Sequence, residues 1–445
     1  MAAGLKAVTS DIVVADDLTG AADTVVQFLR GTDHVLVFPS LRRFEQAMAG
    51  RKLPAGDLAI GISTESRHLT PAEAAKRVRR AHRAALALRP RLLFQKVDSA
   101  LRGNPGAELA AYRTTTGAAA VLMTPAFLPS RRIVRDGMLF VDGVPLAQSA
   151  VAADLRTPAI ESSVPALLRA QCKLSVAALP LAVVRAGRRE LAERLPVLAS
   201  GIALADAEMQ SDLTAIAQAV LDAGLLHAVS GSAGLAGELS GLLPRSAAGA
   251  SRRLLPGGLR VLAVIGSPHA LALAQIDRAA SAGACVVTLE GDAGPGAAAG
   301  EIARRLEAAL LLDGFAIVRP PPLNGVVGAM GATAAEAMAR ALTALAALLL
   351  RKIADDGEPL VQALVVSGGD VAAALCDRLA VERIELLDQV FPGAPLGRLY
   401  GGPGGGLPIV TKSGAHGAED GLLRIVSYLR GAASPGFAPA LAVEE

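Results

Sequence analysis

Asp11-Ile-Val-Val-Ala-Asp-Asp-Leu-Thr-Gly-Ala-Ala-Asp23 sets the frame for the whole chain. The short apolar run Ile12 to Ala15 reads as a buried strand, and Ala21 to Arg30 reads as the helix that follows it. Between them stand two adjacent carboxylates, Asp16 and Asp17, then Thr19 as an N-cap candidate and Gly20 for a tight turn. Ligands of open α/β sheets bind beyond the carboxyl ends of the strands, so acid groups stand where a substrate would sit. Spacing alone leaves a second reading open, in which one aspartate caps the helix and the other is a solvated loop residue.

Outward from this stretch, apolar runs alternate with helical stretches along nearly the whole chain. The expected strands of the first half are Ile12–Ala15, Val35–Phe38, Leu58–Ile62, Leu92–Lys96, Ala119–Met123, Leu181–Val184, Ile202–Ala205 and Ala228–Ser230. Pro71–Leu88 and Arg188–Leu198 carry apolar residues at helical spacing between them. Gly241 to Gly258 has no clean period and is rich in Gly, Pro, Ser and Arg, which marks a domain boundary. Beyond it the alternation restarts with strands at Leu259–Ile265, Cys285–Leu289, Phe315–Val318, Leu364–Ser367 and Leu407–Thr411. The expected fold class is therefore α/β: two α/β domains with largely parallel sheets and a ligand cleft between them. The division is 1–241, a linker at 242–258, 259–432, and a flexible tail at 433–445.

Composition narrows the function classes. The 445 residues exceed the usual size of a single core. They are 52% hydrophobic but only 3% aromatic, so the mean hydropathy of +0.43 reflects an Ala/Leu/Val core. A membrane-spanning helix needs ~20 continuous apolar residues, and the best run, Ala341 to Leu350, stops at Arg351-Lys352. The start of the chain is too short before Asp11 for a signal peptide, so a cytoplasmic location is expected. With 44 basic and 41 acidic residues, the net charge of +3 gives no single-sign field for nucleic acid. Three separated cysteines without a CxxC, and six histidines without ligand spacing, imply neither a disulfide framework nor a zinc site.

Three further polar clusters follow first-half strands. Ser63-Thr-Glu-Ser-Arg67 puts an arginine at a strand end, where it could clamp a carboxylate or pair with a neighbouring acid. Lys96-Val-Asp-Ser-Ala-Leu-Arg-Gly-Asn104 is too polar for a core strand, and Thr124-Pro-Ala-Phe-Leu-Pro-Ser-Arg-Arg132 is another polar loop. Together they suit a small, anionic, hydroxylated ligand. In the second half the strand ends are glycine-rich: Gly266-Ser267, Ser367-Gly-Gly-Asp370 and Gly401-Gly-Pro-Gly-Gly-Gly406. Such loops before helices let phosphates approach backbone N–H groups, and Lys412 adds a cation. Gly406 to Ser413 nearly matches a P-loop, but Leu407–Thr411 reads as the strand itself, so a Walker A loop is rejected. His269 and His416 read as polar loop residues, and Asp206-Ala-Glu208 as capping for the helix after it.

The motifs Ala-Asp-Asp-Leu-Thr-Gly at 15–20, Thr-Glu-Ser-Arg at 64–67 and Lys-Val-Asp-Ser-Ala-Leu-Arg-Gly-Asn at 96–104 resemble the four-carbon acid sugar kinases. The likeness continues in family order through Gly-Ser-Ala-Gly-Leu-Ala at 231–236, Ser-Gly-Gly-Asp at 367–370, Pro-Gly-Ala-Pro at 392–395 and Lys-Ser-Gly at 412–414. This resemblance implies an ATP- and Mg²⁺-dependent kinase acting on the terminal hydroxyl of threonate, erythronate or an oxo-tetronate. It implies that the first domain binds the acid and the second binds ATP. Carried over, Asp17, Arg67, Lys96, Val97, Asp98 and Ser99 contact the acid, with Asp16, Arg102 and Asn104 from the same clusters. Gly266, Ser267, Gly368, Gly369, Asp370, Lys412, Ser413 and Gly414 contact ATP. Asp17 is the expected base, with Asp98 as the alternative, while Arg67 and Lys96 hold the substrate carboxylate. No protein-held metal site is expected, and the partners are the two small molecules, with a second copy of the chain as a further candidate. The chain departs from the family pattern at Ala100 (usually Thr), at Arg131 (usually Gly) and at Ala415-His416 (usually Gly-Phe). The rival readings are a non-catalytic sensor using the same cleft and a sugar-acid dehydrogenase; the latter lacks the G-x-G-x-x-G of a dinucleotide site.

Overall fold

A computed structural model describes residues 10–153, 159–194, 201–244, 255–289, 297–321 and 332–431. The first half supplies β1 (Ser10–Ala15), β2 (His34–Phe38), β3 (Leu58–Ser63), β4 (Leu92–Lys96) and β5 (Ala120–Thr124). A small antiparallel sheet follows, formed by β6 (Arg132–Arg135), β7 (Met138–Val141) and β8 (Val144–Pro145). Then come β9 (Ser175–Leu179), β10 (Gly201–Ala205) and β11 (Val229–Gly231). The second half adds β12 (Val261–Ile265), β13 (Cys285–Thr288), β14 (Phe315–Arg319), β15 (Ala363–Ser367), β16 (Arg383–Phe391), β17 (Ala394–Tyr400) and β18 (Pro408–Lys412).

Fifteen of these strands form one hydrogen-bonded sheet, in the order β13-β14-β12-β15-β18-β17-β16-β2-β3-β1-β4-β11-β5-β10-β9. Apart from the β16–β17 hairpin, neighbours within each half are parallel, as α/β alternation requires. The halves join through the β16–β17 hairpin, antiparallel to β18 on one side and to β2 on the other. A hydrogen bond and an ion pair reinforce the seam, with His34 Nδ1 2.9 Å from Glu385 Oε1 and Lys52 Nζ 3.1 Å from Glu382 Oε1. The strands bury both faces. On β12, Leu262 and Val264 enter the large apolar cluster that spans both halves, while Val261, Ala263 and Ile265 enter a second cluster on the opposite face.

Most expected elements stand within a residue or two of their places, among them the strand at 408–412 that rules out a P-loop. One expectation is overturned. Leu181–Val184 is not a strand: a helix spans Leu181–Arg185, and the strand lies just before it at Ser175–Leu179. Four apolar residues fit either element, and β9 is a half-exposed edge strand whose pattern is weakly apolar. The helix expected at 188–198 is seen as Arg188–Arg194, and residues 195–198 lie outside the described residues. So do most of the expected linker and the tail from 432.

Candidate active site

β1 is buried along its whole length between β3 and β4, and it ends at the two aspartates. The cap of the following helix, Leu18–Val25, is Asp17 rather than Thr19. Asp17 Oδ1 accepts the Gly20 amide at 2.8 Å, and Oδ2 accepts the Thr19 hydroxyl at 2.6 Å. A Cβ on Gly20 would lie 2.6 Å from Asp17 Oδ1 and 3.4 Å from Lys96 Nζ, so glycine lets carboxylate and ammonium share the turn.

Arg67, at the end of β3, reaches across to both aspartates. Its Nε and Nη2 bind Asp16 at 2.6 and 2.9 Å, and Nη1 binds Asp17 at 2.8 Å. The arginine expected to clamp a substrate carboxylate thus engages all three of its nitrogens with the protein's own acids. Asp98 is equally occupied: Arg102 donates to it from Nε at 2.9 Å and Nη2 at 2.8 Å, and the Ala100 amide adds a bond at 3.1 Å. Burial pulls both acids upward in pKa, but the cations prevail. Arg102, with Arg67 and Lys96 behind it, holds Asp98 well below the usual carboxylate range, and Arg67, the Thr19 hydroxyl and Lys96 hold Asp17 down.

Not every expected residue faces the cavity. Asn104 donates to the Ser66 and Leu69 carbonyls at 3.3 and 2.9 Å, which fixes the loop carrying Arg67. Val97 is buried and its amide bonds the Gly231 carbonyl at 3.0 Å. Asp16 lies behind Arg67. The residues that do line a common cavity are Asp17, Arg67, Lys96, Asp98, Ser99 and Arg102 from the first half, together with Ser413 from the second.

The glycine-rich loops of the second half converge on one another. The Gly266 amide bonds the Ser367 carbonyl at 2.8 Å and the Gly368 amide bonds the Lys412 carbonyl at 3.1 Å, linking the ends of β12, β15 and β18. A side chain on Gly266 would overlap Val371, and one on Gly414 would overlap Ser267. Gly368 caps the helix Gly369–Arg378 at φ +108, a backbone open to glycine alone. A Cβ on Gly369 would lie 2.6 Å from Asp17 Oδ2, so this helix start faces the acid cluster across the cleft. Asp370 turns instead to His68, 3.3 Å away, and ties the two halves together.

Lys412 ends β18 almost wholly buried, and among the described residues its ammonium has no hydrogen-bond partner. Burial alone pushes its pKa down to about 7. Leaving a buried ammonium without a partner is costly, and an anion placed beside it would offset that cost.

Several cavity residues had no role assigned from sequence. Asp23, in the second turn of the helix that Asp17 caps, lines it, as do Phe127, Ser232 and Gly393. Arg132, at the start of β6, is buried and donates from Nη1 to the Ser99 hydroxyl, while its Nε has no partner among the described residues. Burial brings its pKa down to about 10. His416, expected as a polar loop residue, is buried with its ring tilted against Phe127 at 5.5 Å. Burial first, then Arg132 and Lys412, holds it well below the usual imidazole range, so the ring is neutral. The motif at 206–208 does not cap the helix after it: Asp206 accepts the Asp136 and Gly137 amides at 2.7 and 3.0 Å, and the start of the helix Gln210–Asp222 is held by Asp212, which accepts the Glu208 and Met209 amides at 2.9 and 3.1 Å. Arg131 adopts φ +50 where the family pattern has glycine.

Two family models match the chain, a sugar-binding N-terminal domain over residues 12–239 and a nucleotide-binding C-terminal domain over residues 262–422. A D-threonate kinase of Bordetella bronchiseptica is 33% identical over 428 residues, covering 94% of this chain and 97% of the relative. A D-erythronate kinase of Heliobacterium modesticaldum is also 33% identical, covering 94% and 96%. A solved structure from Salmonella typhimurium, described as a putative tRNA synthase, superposes with a TM-score of 0.72. It covers 94% of this chain and 98% of its own, and at 21% identity it speaks for the fold alone.

Proposed function

This chain belongs to the four-carbon acid sugar kinase family, and from that premise we propose that it moves the γ-phosphoryl group of ATP to the terminal hydroxyl of a four-carbon sugar acid. The substrate is D-threonate, D-erythronate or a 3-oxo-tetronate. The observation that carries the reading is the approach of Asp17 to Gly369, which sets a polar, acid-binding pocket against a helix N-terminus built for phosphate. The first half is the acid-binding domain and the second the nucleotide domain, with the boundary near 242–258.

Lys96 and Ser99, backed by Arg132, are the donors that receive the carboxylate and hydroxyls of the acid. The Asp16–Arg67–Asp17 and Asp98–Arg102 pairs keep the pocket's walls fixed before the substrate arrives. Gly266, Ser267, Gly368 and Gly369 offer backbone N–H groups to the phosphates, and Lys412, Ser413 and Gly414 complete the cradle. Mg²⁺ supplies charge neutralisation on the phosphate oxygens and would be held mainly by them. With positioning and charge as the main sources of rate, the cleft must shut out water, or ATP is hydrolysed instead.

The test is ATP consumption across the three tetronates. One of them should drive ADP formation with a 4-phosphorylated product, seen by ³¹P NMR. Tight binding of an acid without ADP formation would favour the sensor. A second expected outcome concerns the contact between the halves. Gly369→Ala must push the nucleotide loop away from Asp17, and a misplacement near 1 Å costs about 10²-fold in rate. Its kcat should fall by roughly 10- to 100-fold, while its melting temperature stays close to that of the parent.

A further inference from the structure

Resting on the kinase reading, we propose that Asp23 is the general base that takes the proton of the acceptor hydroxyl. The base must stand where acceptor and phosphoryl donor meet, and it must keep a free oxygen. Asp17 receives Arg67, Thr19 and Gly20, and Asp98 receives Arg102 twice with the Ala100 amide. Asp16 is bound on both oxygens by Arg67. Asp17 and Asp98 are thereby held as weakly basic carboxylates.

Asp23 differs in all these respects. It projects from the helix Leu18–Val25 into the cavity, largely buried, and among the described residues no side chain donates to it. Its Oδ1 is buried without any partner there. Gly393, in the turn between β16 and β17 of the nucleotide half, lines the same cavity, and its backbone amide counts among the groups that lower the Asp23 carboxyl. That turn is pinned: Gly393 sits at φ +89 against the His416 ring, where a Cβ would overlap it. Asp23 therefore lies on the seam, between the acid pocket and the loop that carries Lys412, Ser413 and His416.

The charges facing it balance without a salt bridge. Burial pushes its pKa up to about 6; Lys96, the Gly393 amide and Arg132 pull it down, and Asp17 pushes it up. Neutral His416 shares the cavity and adds no charge. A base near the working pH is both ionised and willing to take a proton, which the drained carboxylates are not. In the step, the hydroxyl oxygen forms its bond to the γ-phosphorus as the bond to the bridging oxygen of ADP breaks. The hydroxyl proton passes to Asp23, and the carboxylic acid later returns it to solvent.

The experiment is steady-state kinetics of the full chain between about pH 5 and 9, comparing wild type with Asp23→Asn and Asp23→Glu. Loss of general base catalysis is about 10²–10⁴-fold, so Asp23→Asn should lose that much kcat with KM for both substrates little changed. The acid limb of the wild-type kcat/KM profile, near pH 6, should vanish in Asp23→Asn and persist in a partly active Asp23→Glu. ADP binding by calorimetry verifies that the variants fold. An Asp23→Asn enzyme that keeps the limb, or a limb that vanishes only in Asp17→Asn, overturns the assignment and leaves the kinase reading standing. A wild-type chain that turns over no four-carbon acid overturns both.

Discussion

Replacing Lys412 with methionine is expected to lower kcat/KM for ATP by about 10²–10³-fold, the usual loss when one preorganised charge donor is removed. The same change should make the ligand-free chain more stable at neutral pH. Lys412 is buried and unpaired, and its pKa falls from the ordinary 10.5 to about 7. That drop corresponds to roughly 4–5 kcal/mol of cost to the folded state below pH 7. Between about pH 7 and 10.5 the unfolded chain holds a proton that the native one has lost. Wild-type stability should therefore rise with pH across that window, and Lys412→Met should lack the slope. Urea unfolding at several pH values measures this. Nucleotide binding has a matching signature, because phosphates beside Lys412 raise its pKa again. Binding above pH 7 should take up a proton, read as a dependence of the calorimetric enthalpy on the buffer's ionisation enthalpy. A Lys412→Met chain with unchanged turnover and no gain in stability would remove Lys412 from the phosphate site.

Arg67→Met is expected to do the reverse, abolishing turnover and destabilising the fold by about 3–5 kcal/mol, the cost of leaving buried charges without their partner. Asp16 and Asp17 both depend on this guanidinium, with four N···O distances that define the geometry: Nε and Nη2 to Asp16 at 2.6 and 2.9 Å, Nη1 to Asp17 at 2.8 Å, and Nη2 to Asp98 at 3.7 Å. Burial pushes the Asp17 carboxyl up in pKa; Arg67, the Thr19 hydroxyl and Lys96 outweigh it and hold Asp17 below its ordinary value. A carboxylate depressed in the native state contributes stability above its unfolded pKa and loses it as pH falls through the folded one. The gap between wild type and Arg67→Met should thus be full at neutral pH and shrink in acid, as Asp17 protonates. Arg67→Lys keeps the charge but not the planar fork, so it should recover only part of the stability. Thermal and urea unfolding at neutral and acid pH would decide the matter, and an Arg67→Met melting temperature equal to wild type would mean that the triad carries no stability.

The two variants separate two uses of a buried cation. Arg67 is paired within the protein and holds the site together, whereas the Lys412 ammonium has no hydrogen-bond partner among the described residues, as the proposed phosphate site would need. Their side chains are both at strand ends, and nothing in the local sequence distinguishes them. Asp16 and Asp17 show the same limit, because the sequence marks both as site acids while their partners lie some fifty residues away.

The α/β alternation, the strand-end position of the acids and the glycine-rich turns were legible in the sequence because each is a local property. An apolar run bounded by polar residues makes a buried parallel strand, and a glycine pair before a helix admits only a narrow set of backbone shapes. The β16–β17 hairpin was not assigned, since Arg383–Phe391 alternates partly buried polar residues and gains its identity by pairing with β2, far off in the chain. Asp23 stood in the opening motif without a role, because the cavity it lines is shared with Gly393 from far along the chain and its freedom depends on which acids Arg67 and Arg102 occupy. Arg132 and His416 were hidden for the same reason. Strand placement follows from short-range pattern and backbone preference; which charge is neutralised, and which is left to act, follows from contacts across hundreds of residues that only the folded chain brings together.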